Sequence, residues 1–129
     1  MRDEPFVTTY HFHKDDTKKT RILESVRVGG VYITRMIIHP HAIVGNVYFT
    51  QTNMVFFAQV GEVHATFVQI KSGQEKTFQL DPESGIIHIP PNVAFAIKNA
   101  QETDSVVVSF SDQPLHDRDD DVAYEVFTS

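Results

Sequence analysis

Short apolar stretches separated by turn residues run through most of the chain. Amphipathic helical periodicity is almost absent, and Gly, Pro, Asn or Asp residues fall between successive stretches. Many short strands at such spacing are typical of a β-sandwich or barrel, so the pattern predicts an all-β protein. Eight strands are predicted: Val31–Ile38, Asn46–Phe49, Met54–Val60, Val63–Ile70, Lys76–Leu80, Ile86–Ile89, Phe95–Lys98 and Val106–Phe110.

Two of these strands are apolar at both odd and even positions. They are Met54–Val60 (MVFFAQV) and Val106–Phe110 (VVVSF). An antiparallel strand with one face in water should alternate between apolar and polar residues. The outer surface of these strands is therefore expected to be covered, either by the N-terminal arm or by another chain. Because monomers rarely expose a large apolar sheet face, the pattern predicts a homodimer.

Length, composition and charge exclude several classes of protein. The chain has 129 residues, enough for one domain. It has no Cys, so disulfides and thiolate metal sites are excluded. A net charge of −6 argues against nucleic-acid binding, and no apolar run approaches the length of a membrane span. The start has no signal-peptide pattern, so a cytoplasmic location is expected. The basic cluster Lys18–Arg21 and the acidic run Asp117–Asp121 are interpreted as solvated loop or strand edge.

Two segments carry a resemblance to a known family. Gly45–Gly61 (GNVYFTQTNMVFFAQVG) and Gly85–Asn99 (GIIHIPPNVAFAIKN) resemble the two motifs of the cupin superfamily. The resemblance implies a single-domain double-stranded β-helix, or jelly roll. Residues 1–30 would then be an N-terminal arm with edge strands, 31–110 the barrel and 111–129 a C-terminal tail. Within this frame, the acidic and aromatic end DDDVAYEVF resembles the deoxysugar-nucleotide epimerases and ketoisomerases of bacterial surface-polysaccharide pathways.

The chain departs from the family at the positions that carry its metal chemistry. By the resemblance, Val47 and Phe49 stand at the paired His of the first motif, Met54 at or beside its Glu, and Phe95 at the His of the second motif. Val and Phe offer no donor to a divalent metal, and Met suits only soft ions. We therefore expect no metal and no cofactor there. The expected apolar pocket is lined by Val47, Phe49, Met54, Phe56 and Phe95.

Other polar residues are weaker candidates for chemistry. Arg35 lies in an otherwise apolar strand and would need a carboxylate or a ligand if it were buried. The pairs His11/His13 and His39/His41 have His-x-His spacing, but neither has an obvious carboxylate partner in sequence, so surface histidine is the simpler interpretation. Arg35, His39 and His41 are further candidates for lining the pocket. His64 and His88 are expected to be half-buried, and Tyr48 to point out of the barrel.

Three functions are compatible with these observations. The first is a metal-free cupin that binds a small molecule, such as a carbohydrate, or acts as an accessory protein. The second is a sugar-nucleotide epimerase or isomerase that uses non-standard residues such as His39, His41 or Tyr48. The third is a structural or regulatory dimer whose barrel is filled by Phe side chains. Fold alone does not decide between them.

Overall fold

The described part of the chain forms eleven β-strands. A computed structural model describes residues 6–115 and 121–126. The strands are β1 (His13–Asp15), β2 (Arg21–Val28), β3 (Val31–Ile38), β4 (Ile43–Phe49), β5 (Met54–Val60), β6 (Val63–Gln69), β7 (Glu75–Leu80), β8 (Ile87–Ile89), β9 (Val93–Lys98), β10 (Ser105–Ser111) and β11 (Asp121–Ala123). No helix occurs among the described residues, so none there could cross a membrane.

The strands form two antiparallel sheets that face each other. The six-stranded sheet has the order β1-β2-β3-β10-β5-β8, and the five-stranded sheet has the order β11-β4-β9-β6-β7. Consecutive strands pass repeatedly from one sheet to the other, as from β3 to β4 and from β9 to β10. This is the arrangement of a single-domain jelly roll, and it confirms the predicted all-β class.

The core lies between the two sheets and consists mainly of aliphatic and Phe side chains. On β5 the residues Met54, Phe56 and Ala58 face inward and are at most 4% exposed. Side chains from β3, β4 and from β6 to β10 complete the same cluster. On β3 the even-numbered Thr34 and Ile38 are buried, so the odd-numbered residues, including Arg35, face outward.

The sheets extend beyond the segment 31–110 that the sequence marks as the barrel. β2 is paired along its whole length with β3. β11 pairs with the other sheet, with Asp121 opposite Phe49 and Ala123 opposite Val47. The interpretation of Asp117–Asp121 as a solvated loop therefore does not hold for Asp121. The rest of that run lies outside the described residues, as do positions 127–129 of the tail.

The turn between β3 and β4 is tied to the loop between β9 and β10 by one side chain. Asn99 is 0% exposed. Its Nδ2 donates to the carbonyl oxygens of Ile38 at 2.9 Å and Thr103 at 2.8 Å, and its Oδ1 accepts from the N–H of Gln101 at 2.9 Å. Each polar atom of this buried amide is therefore satisfied, which is what burial of an amide requires.

The outer face of the six-stranded sheet is apolar over much of its area. Phe57 and Phe110 stack there with ring centroids 6.5 Å apart, and Phe110 is 36% exposed. The N-terminal arm covers part of this face, because the ring of Phe12 lies 4.6 Å from Cζ of Arg35. The arm itself presents exposed apolar side chains, among them Phe6 and Val7.

Candidate functional site

The four residues that the resemblance assigns to the cupin metal-ligand positions belong to, or pack against, one cluster inside the barrel. Phe49, Met54 and Phe95 are 4–5% exposed and belong to one buried cluster, against which the partly buried Val47 packs. The rings of Phe49 and Phe95 are tilted against each other with centroids 6.0 Å apart. Val47 lies directly opposite Phe95 across the β4–β9 pair. The predicted inward facing of Val47 and Phe49 is confirmed.

A β-bulge determines which side chains of this part of β4 point toward the core. The register of β4 against β9 shifts between Gly45 and Val47, and Asn46 has the left-handed φ of 57°. Buried Val44 before the bulge and Val47 after it therefore both contact the core. Asn46 also holds the segment after β11, because its Oδ1 accepts from Val126 N at 2.8 Å.

A cavity of about 230 Å³ adjoins three of the four positions. Most of its wall is apolar. Val47, Phe49 and Phe95 contribute to that wall, so the Phe side chains fill part of the barrel and also line the space that remains. The remaining lining residues are Lys18, Thr20, Arg21, Leu23, Met36, Ile43, Val44, Gly45, Leu115 and Asp121. Met54 and Phe56 are not among the lining residues; they lie in the buried cluster.

A larger cavity of about 400 Å³ lies at a different place. Its lining residues come from β6, β7, β8 and β9 and the segments beside them, with Lys76 and His88 among them. It contains none of the four converging positions, and most of its polar lining side chains are exposed. Exposed side chains satisfy their hydrogen bonds with water and give little selectivity. The smaller cavity is therefore the stronger candidate.

Arg21 is a cavity residue that the sequence interpretation missed. It was assigned to a solvated loop or strand edge, but it is the first residue of β2 and is only 5% exposed. Arg21 and Leu23 both face inward, which the alternation in RILESVRV could have indicated. The adjacent lysines obscured this signal, because they mark the segment as solvated.

Arg35 does not line the cavity. It occupies an outward-facing position of β3, where its Nε donates to Oε1 of Glu24 at 2.9 Å. This hydrogen bond is the main reason that the pKa of Glu24 is lowered. The expected need of Arg35 for a carboxylate is therefore met on the outer face of the sheet, away from the interior.

His39 and His41 also lie away from the cavity lining. Nδ1 of His39 lies 3.0 Å from Oδ1 of Asp104, and Nε2 of His41 lies 2.8 Å from Oε1 of Glu102. Both carboxylates come from the β9–β10 loop, more than 60 residues away in sequence. The two side chains thus have carboxylate partners that sequence spacing does not reveal, and they serve as contacts between loops.

His64, His88 and Tyr48 do not cluster with one another. His64 is half-buried with its Nε2 3.8 Å from Oε1 of Glu62, whereas His88 is exposed and contacts Asn53. Half-burial of His88 was expected and is not observed. Tyr48 faces outward as predicted and packs edge-on against Tyr124. Within residues 6–115 and 121–126, no three His, Asp or Glu side chains, including His11 and His13, form a group that could hold a metal.

Replacing Phe49 by His is expected to destabilise the protein by about 2–4 kcal/mol. The variant removes ring contacts with Phe95 and buries an imidazole among apolar side chains without a polar partner. Urea denaturation of Phe49→His measures the loss. Phe78→His in β7 is the matched control, since Phe78 is 38% exposed, and should change stability by less than about 1 kcal/mol. Equal losses for the two variants would show that the site of Phe49 tolerates polar groups.

Comparisons with known proteins show the fold. No protein-family model and no curated protein sequence matches the chain. Among solved structures, the capsular polysaccharide assembling protein CapF from Staphylococcus aureus has a TM-score of 0.77 at 17% identity, with 94% of this chain and 33% of CapF covered. A variant of oxalate decarboxylase from B. subtilis has a TM-score of 0.72 at 16% identity, with 94% and 34% covered.

An oxalate oxidase gives a TM-score of 0.65 at 12% identity, with 76% of this chain and 53% of the oxidase covered. The chain thus spans a third to about half the length of these proteins, so their whole activities are not transferred to it. All three are cupin-fold proteins, and they agree with the two-sheet topology described above. The chain therefore has the cupin fold.

Proposed function

We propose that the protein binds a small molecule with a largely apolar body in the mouth of its barrel, without a metal ion. The carrying observation is the packing of Val47, Phe49, Met54 and Phe95 in one apolar cluster. By the resemblance, these are the residues at the cupin metal-ligand positions. Small-molecule sites are concave and mostly apolar, with a few polar groups that fix orientation. The cavity of about 230 Å³ beside these residues has that character.

The purified protein is expected to contain no stoichiometric transition metal at these four positions. None of the four side chains offers an N or O donor, and the thioether of Met54 suits only soft ions. Elemental analysis of protein purified without chelators measures the metal content. About one metal per chain, placed among Val47, Phe49, Met54 and Phe95 by a crystal structure, would refute the metal-free proposal.

Ligand binding is tested by filling the cavity. Val47→Trp places a large ring in the space beside Phe95 and should abolish binding of any compound that raises the melting temperature of the natural protein. The screen contains apolar carboxylic acids, their neutral analogues, sugars and nucleotide sugars. Sugars are included because CapF is described as assembling capsular polysaccharide. Val60→Trp is the control, since Val60 is 50% exposed at the end of β5. Compounds that still bind Val47→Trp would place their site elsewhere.

The positions of His39, His41 and Tyr48 favour binding over epimerase or isomerase activity. A general acid or base must lie within hydrogen-bond reach of its substrate, directly or through one water. His39 and His41 are not among the residues that line the cavity, and each is already paired with a carboxylate. Tyr48 points out of the barrel. We therefore propose that the protein binds a small molecule rather than catalysing an epimerase or isomerase reaction.

We also propose that the protein forms a homodimer through the outer face of its six-stranded sheet. The exposed Phe110 and Val31, and the apolar N-terminal arm beside them, would be buried in such a contact. Light scattering should return twice the chain mass of 14.7 kDa at micromolar concentration. Phe110→Glu should shift the mass to that of one chain, whereas Phe78→Glu on the other sheet should not. A mass near 14.7 kDa for the natural protein would refute this proposal.

A further inference from the structure

Arg21 is the most unusual polar residue in the cavity wall. Its side chain is about nineteen-twentieths buried, with 6% of its surface exposed. Its Nη1 has no hydrogen-bond acceptor in the part of the chain that the structure describes. A buried guanidinium with unsatisfied donors destabilises a fold unless something else supplies the acceptor.

Asp15 compensates the charge of Arg21 only in part. Its Oδ2 lies 3.7 Å from Nη1 of Arg21, which is beyond hydrogen-bond distance. Its Oδ1 accepts from the N–H and the hydroxyl of Thr17 at 3.1 and 2.6 Å. Burial lowers the pKa of Arg21 and the nearby Asp15 opposes that shift, but an arginine remains charged in either case. The cavity therefore has a permanent cation on its wall with donors to spare.

The other lining residues determine what kind of molecular body an anionic ligand bound at Arg21 can have. Opposite β2, the rings of Phe49 and Phe95 and the side chain of Val47 present an apolar surface. The volume of about 230 Å³ corresponds to about eight water molecules at roughly 30 Å³ each, so a ligand of about that many non-hydrogen atoms would fit. Among the charged lining residues that the structure describes, Lys18 and Arg21 outnumber Asp121, in a chain whose net charge is −6.

From this geometry we propose that the cavity binds a small organic carboxylate, with the carboxylate on Arg21 and an apolar body against Phe49 and Phe95. The inference rests on the proposed binding function and adds the chemical class of the ligand. Arginine suits this role because its planar fork matches a carboxylate with two parallel hydrogen bonds. A neutral acceptor would fill the same space but would leave the buried charge uncompensated.

The test is calorimetric titration of the full chain with three acids and their neutral analogues. The acids are benzoate, phenylacetate and cyclohexanecarboxylate, and each is compared with its amide. Each acid should bind at least about tenfold more tightly than its amide, which is the effect of one hydrogen-bonded charge pair. Equal binding of acids and amides would refute the carboxylate inference and leave the binding proposal intact. Absence of binding by both series would refute both.

Two variants of Arg21 separate ligand binding from a structural role. Arg21→Met should weaken binding of the acids at least about tenfold without weakening binding of the amides, and Arg21→Lys should retain part of the preference. The ligand-free Arg21→Met protein should melt at the same or a higher temperature, because an incompletely paired buried charge has been removed. A lower melting temperature together with unchanged acid binding would assign Arg21 a structural role.

Two further variants test whether the effect is specific to Arg21 and whether the carboxylate lies beside it. Arg27→Met is the matched control, because Arg27 is exposed at the far end of β2 and donates to the carbonyl oxygen of Gly29. It should leave the affinity for all six compounds unchanged. Asp15→Asn removes the anion that competes for Arg21 and should tighten binding of the acids severalfold. Weaker binding of the acids by Asp15→Asn would contradict the proposed position of the carboxylate.

Discussion

Asn99→Asp is expected to destabilise the protein by about 4 kcal/mol or more, a large part of the stability of a typical domain. The substitution preserves shape but replaces the Nδ2 donor by an oxygen. That oxygen would lie 2.8–2.9 Å from the carbonyl oxygens of Ile38 and Thr103, and a charge would be placed at a site with 0% exposure. Chemical denaturation followed by circular dichroism measures the loss.

The pH dependence of Asn99→Asp distinguishes this cause from simple misfolding. A buried carboxyl that faces carbonyl oxygens has a raised pKa, and its protonated form can again donate a hydrogen bond. The loss in free energy of unfolding relative to the natural protein should therefore be smallest below about pH 3.9, the pKa of an Asp carboxyl in the unfolded chain. It should grow as the pH rises. The control is Asn92→Asp, at an exposed position with φ 65°, a conformation that Asp tolerates. A pH-independent deficit in Asn99→Asp would contradict the hydrogen-bond explanation.

Gly45→Ala is expected to destabilise the protein by roughly 3 kcal/mol or more and to disturb the cavity wall. A Cβ on Gly45 would lie 2.7 Å from the carbonyl oxygen of Phe95 and 3.1 Å from Cα of Ala96. Both atoms belong to the backbone of β9, so the contact can be relieved only by moving one strand against the other. The φ of 97° adds strain for any residue with a side chain.

Gly73→Ala is the matched control for Gly45→Ala. Gly73 also has a left-handed φ, at 74°, but an added Cβ would find nothing within 4 Å. Gly73→Ala should therefore lower the free energy of unfolding only through backbone strain, by about 1–2 kcal/mol. Urea denaturation of the two variants isolates the steric contact with β9 as the difference between them. Equal losses would show that β4 and β9 can separate at the bulge without further cost.

Local pattern was sufficient to predict most strands of the barrel. The bounds predicted for Val31–Ile38 and Met54–Val60 are those observed, because both strands are mostly apolar and end at turn residues. β4 begins three residues earlier than predicted, at Ile43. The bulge at Gly45 and Asn46 interrupts the alternation, and turn-forming residues of this kind look like a strand boundary in sequence.

The parts of the site that could not be predicted depend on contacts distant in sequence. Arg21 is buried because β2 is paired with β3 and lies opposite β4, and no local property of the lysine-rich segment before it indicates this. The partners of His39 and His41 come from a loop about 60 residues later. The proximity of Phe49 and Phe95 could be predicted only from the resemblance to the cupin motifs, because the resemblance implies which strands lie next to each other.

The cavity wall is assembled from two kinds of segment that can change independently. Val47, Phe49 and Phe95 belong to paired strands of the jelly roll, and substitutions there disturb the core. Lys18, Thr20 and Leu115 come from loop segments on either side of it. Grafting other sequences onto these flanks could alter the polarity and width of the cavity while leaving the strand pairing intact. A cupin barrel of this type therefore separates the residues that maintain its architecture from many of those that can diversify its chemistry.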